Sequence, residues 1–106
     1  MDSNIFCNLA AMTTEQRQQH SQFRERLFGR MQAVGELPDG YAMSFPDDTL
    51  VDMASYITLE RLCCPFLNFR ISVSADSDEI ELALIGNEDV KAFLRSEFGS
   101  AFAGEG

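Results

Sequence analysis

The strongest constraint on the fold is an alternation of apolar and polar residues that runs through positions 66 to 85. One run has apolar side chains at every second position, and a second run repeats this pattern: Leu67, Phe69, Ile71 and Val73, then Ile80, Leu82 and Leu84. Because side chains alternate between the two faces of a strand, each run predicts a strand with one apolar face. The polar turn at 76–78 predicts that strands 66–74 and 79–85 form an antiparallel hairpin at the centre of a sheet.

Apolar residues at spacings of three and four predict three helices, over 13–34, 49–63 and 87–99. Thr13, with glutamine three residues later, is typical of a capping box that opens the first helix. Gly99 predicts the end of the last helix. The second helix is predicted to bury one apolar stripe and to leave its acidic residues more exposed: Leu50, Ala54, Ile57 and Leu62 inward, Asp52 and Glu60 outward.

Two shorter runs, 5–9 and 41–45, alternate in the same way and predict further strands, with Cys7 turned inward on the first. The predicted order is therefore β-α-β-α-β-β-α. This order is typical of an α+β fold, a two-layer sandwich whose mostly antiparallel sheet is covered by helices on one face.

The length of 106 residues is that of a single domain. We expect one domain over 1–106, ordered over about 4–99 and frayed over 100–106. The net charge of −9 argues against nucleic-acid binding, which needs clustered basic residues.

No signal peptide and no apolar stretch near ~18 residues is found, so we expect a cytoplasmic protein without a membrane segment. No glycine-rich phosphate loop is found, and we expect no nucleotide cofactor. Because the cytosol is reducing, we expect the three cysteines to be free thiols rather than a disulfide framework.

Adjacent cysteines, Cys63 and Cys64, end the second predicted helix. Consecutive Cα atoms lie ~3.8 Å apart and ordinary disulfides need roughly 4.4–6.8 Å, so we do not expect these two cysteines to bond to each other. Pro65 disfavours the α conformation at Cys64, which makes Cys63 the last helical residue. Glu60 precedes the pair by three and four residues, so its carboxylate is expected beside the thiols.

The thiols predict a site for a soft metal or metalloid ion such as zinc, copper(I), mercury(II) or arsenic(III). The expected ligands are Cys63 and Cys64, with Cys7 completing the shell if the first strand lies along the end of the second helix. Four further residues are expected around the sulfurs in a supporting role: Glu60, Arg61, Arg70 and His20. We expect Glu60 to pair with one of the two arginines.

Two alternatives remain open. In the first, the protein is a cysteine-dependent redox enzyme in which Cys63 or Cys64 attacks, Cys7 resolves and Glu60 handles a proton, although a helix C-terminus disfavours a thiolate. In the second, the cysteines only fill space in the core of a structural or interaction domain. His20 then lies at the edge of the core, with its hydrogen bonds satisfied. We also expect a homodimer, because Phe6 and Ile85 are predicted on the otherwise polar side of the sheet.

The segment 60–69, Glu-Arg-Leu-Cys-Cys-Pro-Phe-Leu-Asn-Phe, and the later 84–86 leading into a helix at 90–94 carry a resemblance. They resemble small, largely uncharacterised bacterial proteins with an E-R-x-C-C-P-F signature. Those proteins tend to carry an early cysteine and then a helix with acidic residues and arginines, matched here by Cys7 and 13–34. The resemblance covers most of the chain and implies no substrate. A likeness to bacterial mercury-handling proteins is confined to the cysteine dipeptide.

Overall fold

The computed structural model describes residues 8–103. Within them are three α-helices and four β-strands: α1 (Thr14–Phe28), α2 (Leu50–Cys63), α3 (Glu88–Ala103), β1 (Ala33–Leu37), β2 (Gly40–Pro46), β3 (Asn68–Val73) and β4 (Glu79–Ile85). Short 3-10 turns lie at Leu9–Ala11 and Asp47–Thr49. All strand pairs are antiparallel, in the order β1-β2-β4-β3. The predicted α+β class is confirmed.

The core lies between the helices and one face of the two inner strands. In the register of β2 with β4, Tyr41 pairs with Leu84, Met43 with Leu82 and Phe45 with Ile80. All six of these side chains are buried, in one cluster with residues from each helix, among them Leu27, Tyr56 and Leu94. The period-two pattern therefore correctly predicts which face of each inner strand is buried.

The start of the chain differs from the prediction. The first helix ends at Phe28 instead of 34, and Ala33–Leu37 forms a strand that the sequence did not predict. The Gln32 N–H donates to the carbonyl of Ser44, and the ladder with β2 follows directly. These backbone bonds outweigh the apolar spacing that suggested a longer helix. Of the strand predicted over 5–9, positions 5–7 lie outside the described residues and Leu9 lies in a 3-10 turn.

The hairpin of β3 and β4 forms as predicted, but it is not at the centre of the sheet. Strand β3 is an edge strand. Phe69 is only half-buried, and Ile71 and Val73 are 37% and 60% exposed, because the helices cover the inner strands rather than this edge. We predicted that helices pack on the whole apolar face of β3. This prediction is wrong for Ile71 and Val73, which the helices leave exposed.

Helix α2 buries a different stripe from the one predicted. Leu50 and Leu62 are exposed, whereas the buried residues of the helix are Met53, Tyr56, Leu59, Glu60 and Cys63. The helix packs against α1, and this is the most extensive contact that α2 makes with any other element. Glu60, expected to be more exposed, is 2% exposed. This rotation of the helix places Glu60 in the interior.

The helix ends are partly as predicted. Thr13 and Gln16 form the expected capping box, and the Asn87 side chain accepts a hydrogen bond from the N–H of Val90. Gly99 does not end α3, which continues to Ala103, because no described glycine has the left-handed backbone of a helix stop. Ile85 is buried rather than exposed on the open side of the sheet. Among residues 8–103, no helix is long and apolar enough to cross a membrane.

Candidate functional site

Three chemically distinctive side chains share one face of α2. Tyr56, Glu60 and Cys63 are spaced by four and three residues, which places them one above the other along the helix. Their exposed fractions are 0%, 2% and 0%. An ionised carboxylate in such a position needs a partner, because burial without one is costly.

His20 supplies that partner from α1. Its Nε2 lies 2.6 Å from Oε1 of Glu60, and both side chains are buried. Since a carboxylate can only accept, the ring N–H donates to it. The imidazole also stacks on Tyr56, with ring centroids 5.5 Å apart. The expected pairing of Glu60 with an arginine is wrong, and the histidine takes that place.

The two cysteines are in different chemical states. Cys63 is a free, buried thiol, whereas Cys64 is disulfide-bonded. The expectation that every cysteine is free is therefore wrong for Cys64. The Sγ atoms of the two residues lie 3.7 Å apart, well beyond bonding distance, as expected for this pair. Because the disulfide sulfur carries no proton, the thiol of Cys63 is the donor in this contact.

The sequence correctly predicts where the helix ends. Cys63 is the last residue of α2, and Cys64 has left the helical conformation with φ −129° and ψ 67°, as Pro65 requires. The Cys63 carbonyl accepts a hydrogen bond of 2.8 Å from the N–H of Asn8. Asn8 directly follows Cys7 in the sequence, and Cys7 itself lies outside the described residues.

The surroundings of Cys63 keep its thiol protonated. Its Sγ lies 3.6 Å from the backbone oxygen of Glu60 and 3.9 Å from the carboxylate Oε1. Burial, and then the negative charge of Glu60, raise the pKa of Cys63 to about 11. A cation near the sulfur would act in the opposite direction and remove the proton.

A surface cleft of about 290 Å³ leads to the buried pair. Its walls come from the first 3-10 turn and all three helices: Leu9, Arg17, His20, Ser21, Arg24, Glu60 and Glu97. Arg17 donates to the carbonyls of Leu9 and Met12, and Arg24 forms an ion pair with Glu97 at 3.6 Å. The cleft therefore combines two cations with two carboxylates, and His20 and Glu60 connect it to the thiol.

These residues offer three kinds of donor atom at one point. The ligating atoms of His20, Glu60 and Cys63 all lie within 4.8 Å of one another, so the group could hold a metal ion. Nitrogen, oxygen and sulfur together suit a borderline or soft ion. Arg61 and Arg70, predicted near the sulfurs, are exposed and make no hydrogen bond or ion pair with the site among the described residues.

Tyr56 was not predicted as part of the site, and His20 was expected only in a supporting role. The signal for Tyr56 was available, because its spacing to Glu60 and Cys63 is that of one helix face. It was hidden by the more apolar stripe on the other side of α2. The partnership of His20 and Glu60, forty residues apart, depends on how α1 packs against α2, and no local pattern reports that.

Comparison of the chain with protein-family models, with curated proteins and with solved structures found no match. What the protein does must therefore be inferred from the chemistry of this site.

Proposed function

We propose that this protein binds a soft or borderline metal ion through the thiolates of Cys63 and Cys64, once the disulfide of Cys64 is reduced. The separation of the two sulfurs carries the proposal. Two thiolates at ~2.3 Å from a tetrahedral ion lie about 3.7 Å apart. The Sγ atoms of Cys63 and Cys64 are 3.7 Å apart before any ion is bound. The adjacent cysteines thus need little rearrangement to form one edge of a metal site.

Glu60 supplies the third donor. Its Oε1 lies 3.9 Å from the sulfur of Cys63, and an oxygen and a sulfur on one tetrahedral ion would be about 3.5 Å apart. His20 and Glu60, at 2.6 Å, are too close to be ligands side by side, which would require about 3.3 Å. His20 therefore holds and orients the carboxylate by its hydrogen bond, as residues behind metal ligands commonly do.

Cys7 is the proposed partner of Cys64 in the disulfide. The chain has three cysteines, and Cys63 is free. The hydrogen bond from Asn8 to the carbonyl of Cys63 attaches the chain next to Cys7 to the end of α2. In this proposal the disulfide withholds one thiolate from the ion, so binding requires a reductant.

The proposal is tested by titrating the protein anaerobically with zinc, mercury(II) and arsenite, before and after reduction. Reduced protein should bind zinc with loss of titratable thiols and a higher melting temperature, since a bound ion stabilises the folded state by mass action. Cys63→Ser and Cys64→Ser should each lose most of the affinity. If no ion binds the reduced protein below ~10 μM, or if both variants bind as tightly as the parent, the proposal is wrong.

A thiol redox function is a second candidate, and the contact of a free thiol with a disulfide sulfur favours it. The Cys63 thiolate would attack Sγ of Cys64, the existing S–S bond would break, and the departing cysteine would leave as a thiolate and take up a proton. Two facts oppose it: the pKa of Cys63 is about 11, and the product would be a strained bond between adjacent cysteines. Catalytic reduction of an added small disulfide, with a dithiol such as dithiothreitol supplying the two electrons of each cycle and with the activity lost in Cys63→Ser, would favour this candidate over metal binding.

A further inference from the structure

The hydroxyl of Tyr56 is buried without a hydrogen-bond partner. The residue is 0% exposed, and its Oη is a buried polar atom that meets no donor or acceptor among the described residues. Most buried polar atoms are paired, and an unpaired one costs about 1–3 kcal/mol. The orphaned hydroxyl therefore marks a place where a partner atom is missing.

The electrostatic neighbours of the hydroxyl belong to the candidate site. The phenol ring lies one turn before Glu60 and two turns before Cys63 on the same face of α2, with the ring of His20 stacked on it. Burial and the charge of Glu60 raise the pKa of Tyr56 well above its usual value, with Arg24 opposing them. The group is therefore a neutral O–H donor that lies within reach of the proposed ligands.

Glu60 does not satisfy this donor. The carboxylate lies close enough to raise the pKa of Tyr56 by its charge and by weak hydrogen bonding, but Oη has no partner with hydrogen-bond geometry, and Oε1 of Glu60 accepts from His20 at 2.6 Å. No acceptor among residues 8–103 meets the phenol with hydrogen-bond geometry, and an atom carried by a bound ion would supply one. Cys63, Cys64 and Glu60 fill three positions of a four-coordinate ion and leave the fourth for a water or hydroxide, as at open zinc sites.

We propose that Tyr56 donates a hydrogen bond to an oxygen atom that the bound ion carries, so that the site takes an ion bearing water or hydroxide. This inference rests on the proposed metal site. The inference predicts that three ions used as probes behave differently, according to whether the bound ion carries an oxygen atom. Zinc keeps a water in its fourth position. Arsenite, As(OH)₃, keeps one hydroxide when two thiols each release a water: two As–S bonds replace two As–O bonds, and no electrons are transferred. Mercury(II) is satisfied by two thiolates and brings no oxygen.

The test compares Tyr56→Phe with the parent, both reduced. The affinity for zinc and for arsenite should fall about three- to tenfold, the value of one hydrogen bond, while that for mercury(II) stays within about twofold. The ion-free variant should melt no lower than the parent, because the substitution removes an unpaired group. Tyr41→Phe is the matched control: its hydroxyl accepts from Arg95, and Tyr41 belongs neither to the candidate ligands nor to the lining of the cleft, so ion affinities should not change.

The control variant also provides a direct readout. The chain has two tyrosines and no tryptophan, so in Tyr41→Phe the tyrosine band of the near-ultraviolet spectrum comes from Tyr56 alone. A new hydrogen bond from its hydroxyl should shift that absorption when zinc or arsenite binds, and mercury(II) should shift it less. Equal affinities of Tyr56→Phe and the parent for zinc and arsenite, or an equal loss for all three ions, would overturn the inference and leave the metal site standing. Failure of the parent to bind any of the three ions would contradict both this inference and the proposed metal site.

Discussion

Nε2 of His20 and Oε1 of Glu60 are 2.6 Å apart, and the two side chains are 9% and 3% exposed. A carboxylate left without this hydrogen bond would stay buried and uncompensated, so His20→Ala should cost about 2–3 kcal/mol of unfolding free energy. Urea denaturation of reduced protein measures this loss. A double-mutant cycle with Glu60→Gln should give a coupling of more than ~1 kcal/mol.

The matched control for this pair is the ion pair of Arg26 with Asp52, which has a similar distance of 2.9 Å but side chains that are 56% and 32% exposed. Asp52→Asn should cost much less than His20→Ala, because water screens surface pairs. Equal costs for the buried and the surface pair would mean that water from the cleft solvates Glu60 and that His20 does not hold it.

The pKa of Cys63 predicts a loss of stability at alkaline pH. Its folded-state value of about 11 is above the ordinary 9.0, so the folded protein holds this proton more tightly than the unfolded chain does. The corresponding stability is complete below pH ~9 and is lost as the pH rises towards and past ~11. The free energy of unfolding should therefore fall more steeply over this range in the parent than in Cys63→Ala. Parallel pH profiles would show that the thiol is not perturbed.

Removal of the proposed disulfide partner should free the metal site from its need for a reductant. Cys7→Ser leaves Cys64 with no cysteine partner other than its neighbour, so this variant should bind zinc without added reductant and about as tightly as the reduced parent. A requirement for reductant that persists would identify a different disulfide partner. A loss of affinity in reduced Cys7→Ser would instead make Cys7 a ligand, as the sequence suggested.

Burial separates two phenylalanines that the sequence treats alike. Phe45 is 0% exposed on the inner strand β2 and packs edge-on against Phe28, so Phe45→Ala should cost about 3–5 kcal/mol. Phe69 is half-buried on the edge strand, and Phe69→Ala should cost about half as much. The two losses of stability can be compared from the midpoints of chemical denaturation, provided that the variants have the same m-value. A larger loss for Phe69 would mean that another surface covers this edge.

The buried faces of the two inner strands and the end of α2 could be predicted because local rules govern them. Alternation specified the inward residues of β2 and β4, and Pro65 specified the end of the helix at Cys63. The buried face of α2 could not be predicted in this way, because apolar spacing favours Leu50 and Leu62 and cannot anticipate a carboxylate that is buried beside a histidine. Residues 33–37 become a strand only because the edge of β2 is there to pair with them.

We propose that the expected homodimer forms through the edge of β3 that no other described strand covers. This edge strand exposes Ile71 and Val73 on the helix side of the sheet. An antiparallel pairing with a second copy, centred on Ile71, would place Phe69 opposite Val73 of the partner subunit and cover both, since opposed residues share a face. On the other face, Arg70 would lie beside Ser72 of the partner subunit.

Charge favours that register over its neighbours. Ser72 pairs with Glu81 in the ladder of β3 with β4, so the partner's Arg70 would come within reach of this carboxylate. Arg70 is exposed and has no ion pair among the described residues, which leaves it available. A shift by one residue would place apolar side chains opposite polar ones on both faces.

Sedimentation at micromolar concentration should therefore detect a species of twice the 11.9 kDa chain mass, in equilibrium with the monomer. Val73→Lys should abolish it, because a lysine at each end of the paired strands would place a charge against Phe69 of the partner subunit. Val51→Lys, at a residue that is 76% exposed on α2, is the matched control and should leave the dimer intact. A parent that sediments as a single chain at ~100 μM would rule out this interface, and a dimer that survives Val73→Lys but not Val51→Lys would assign it to α2.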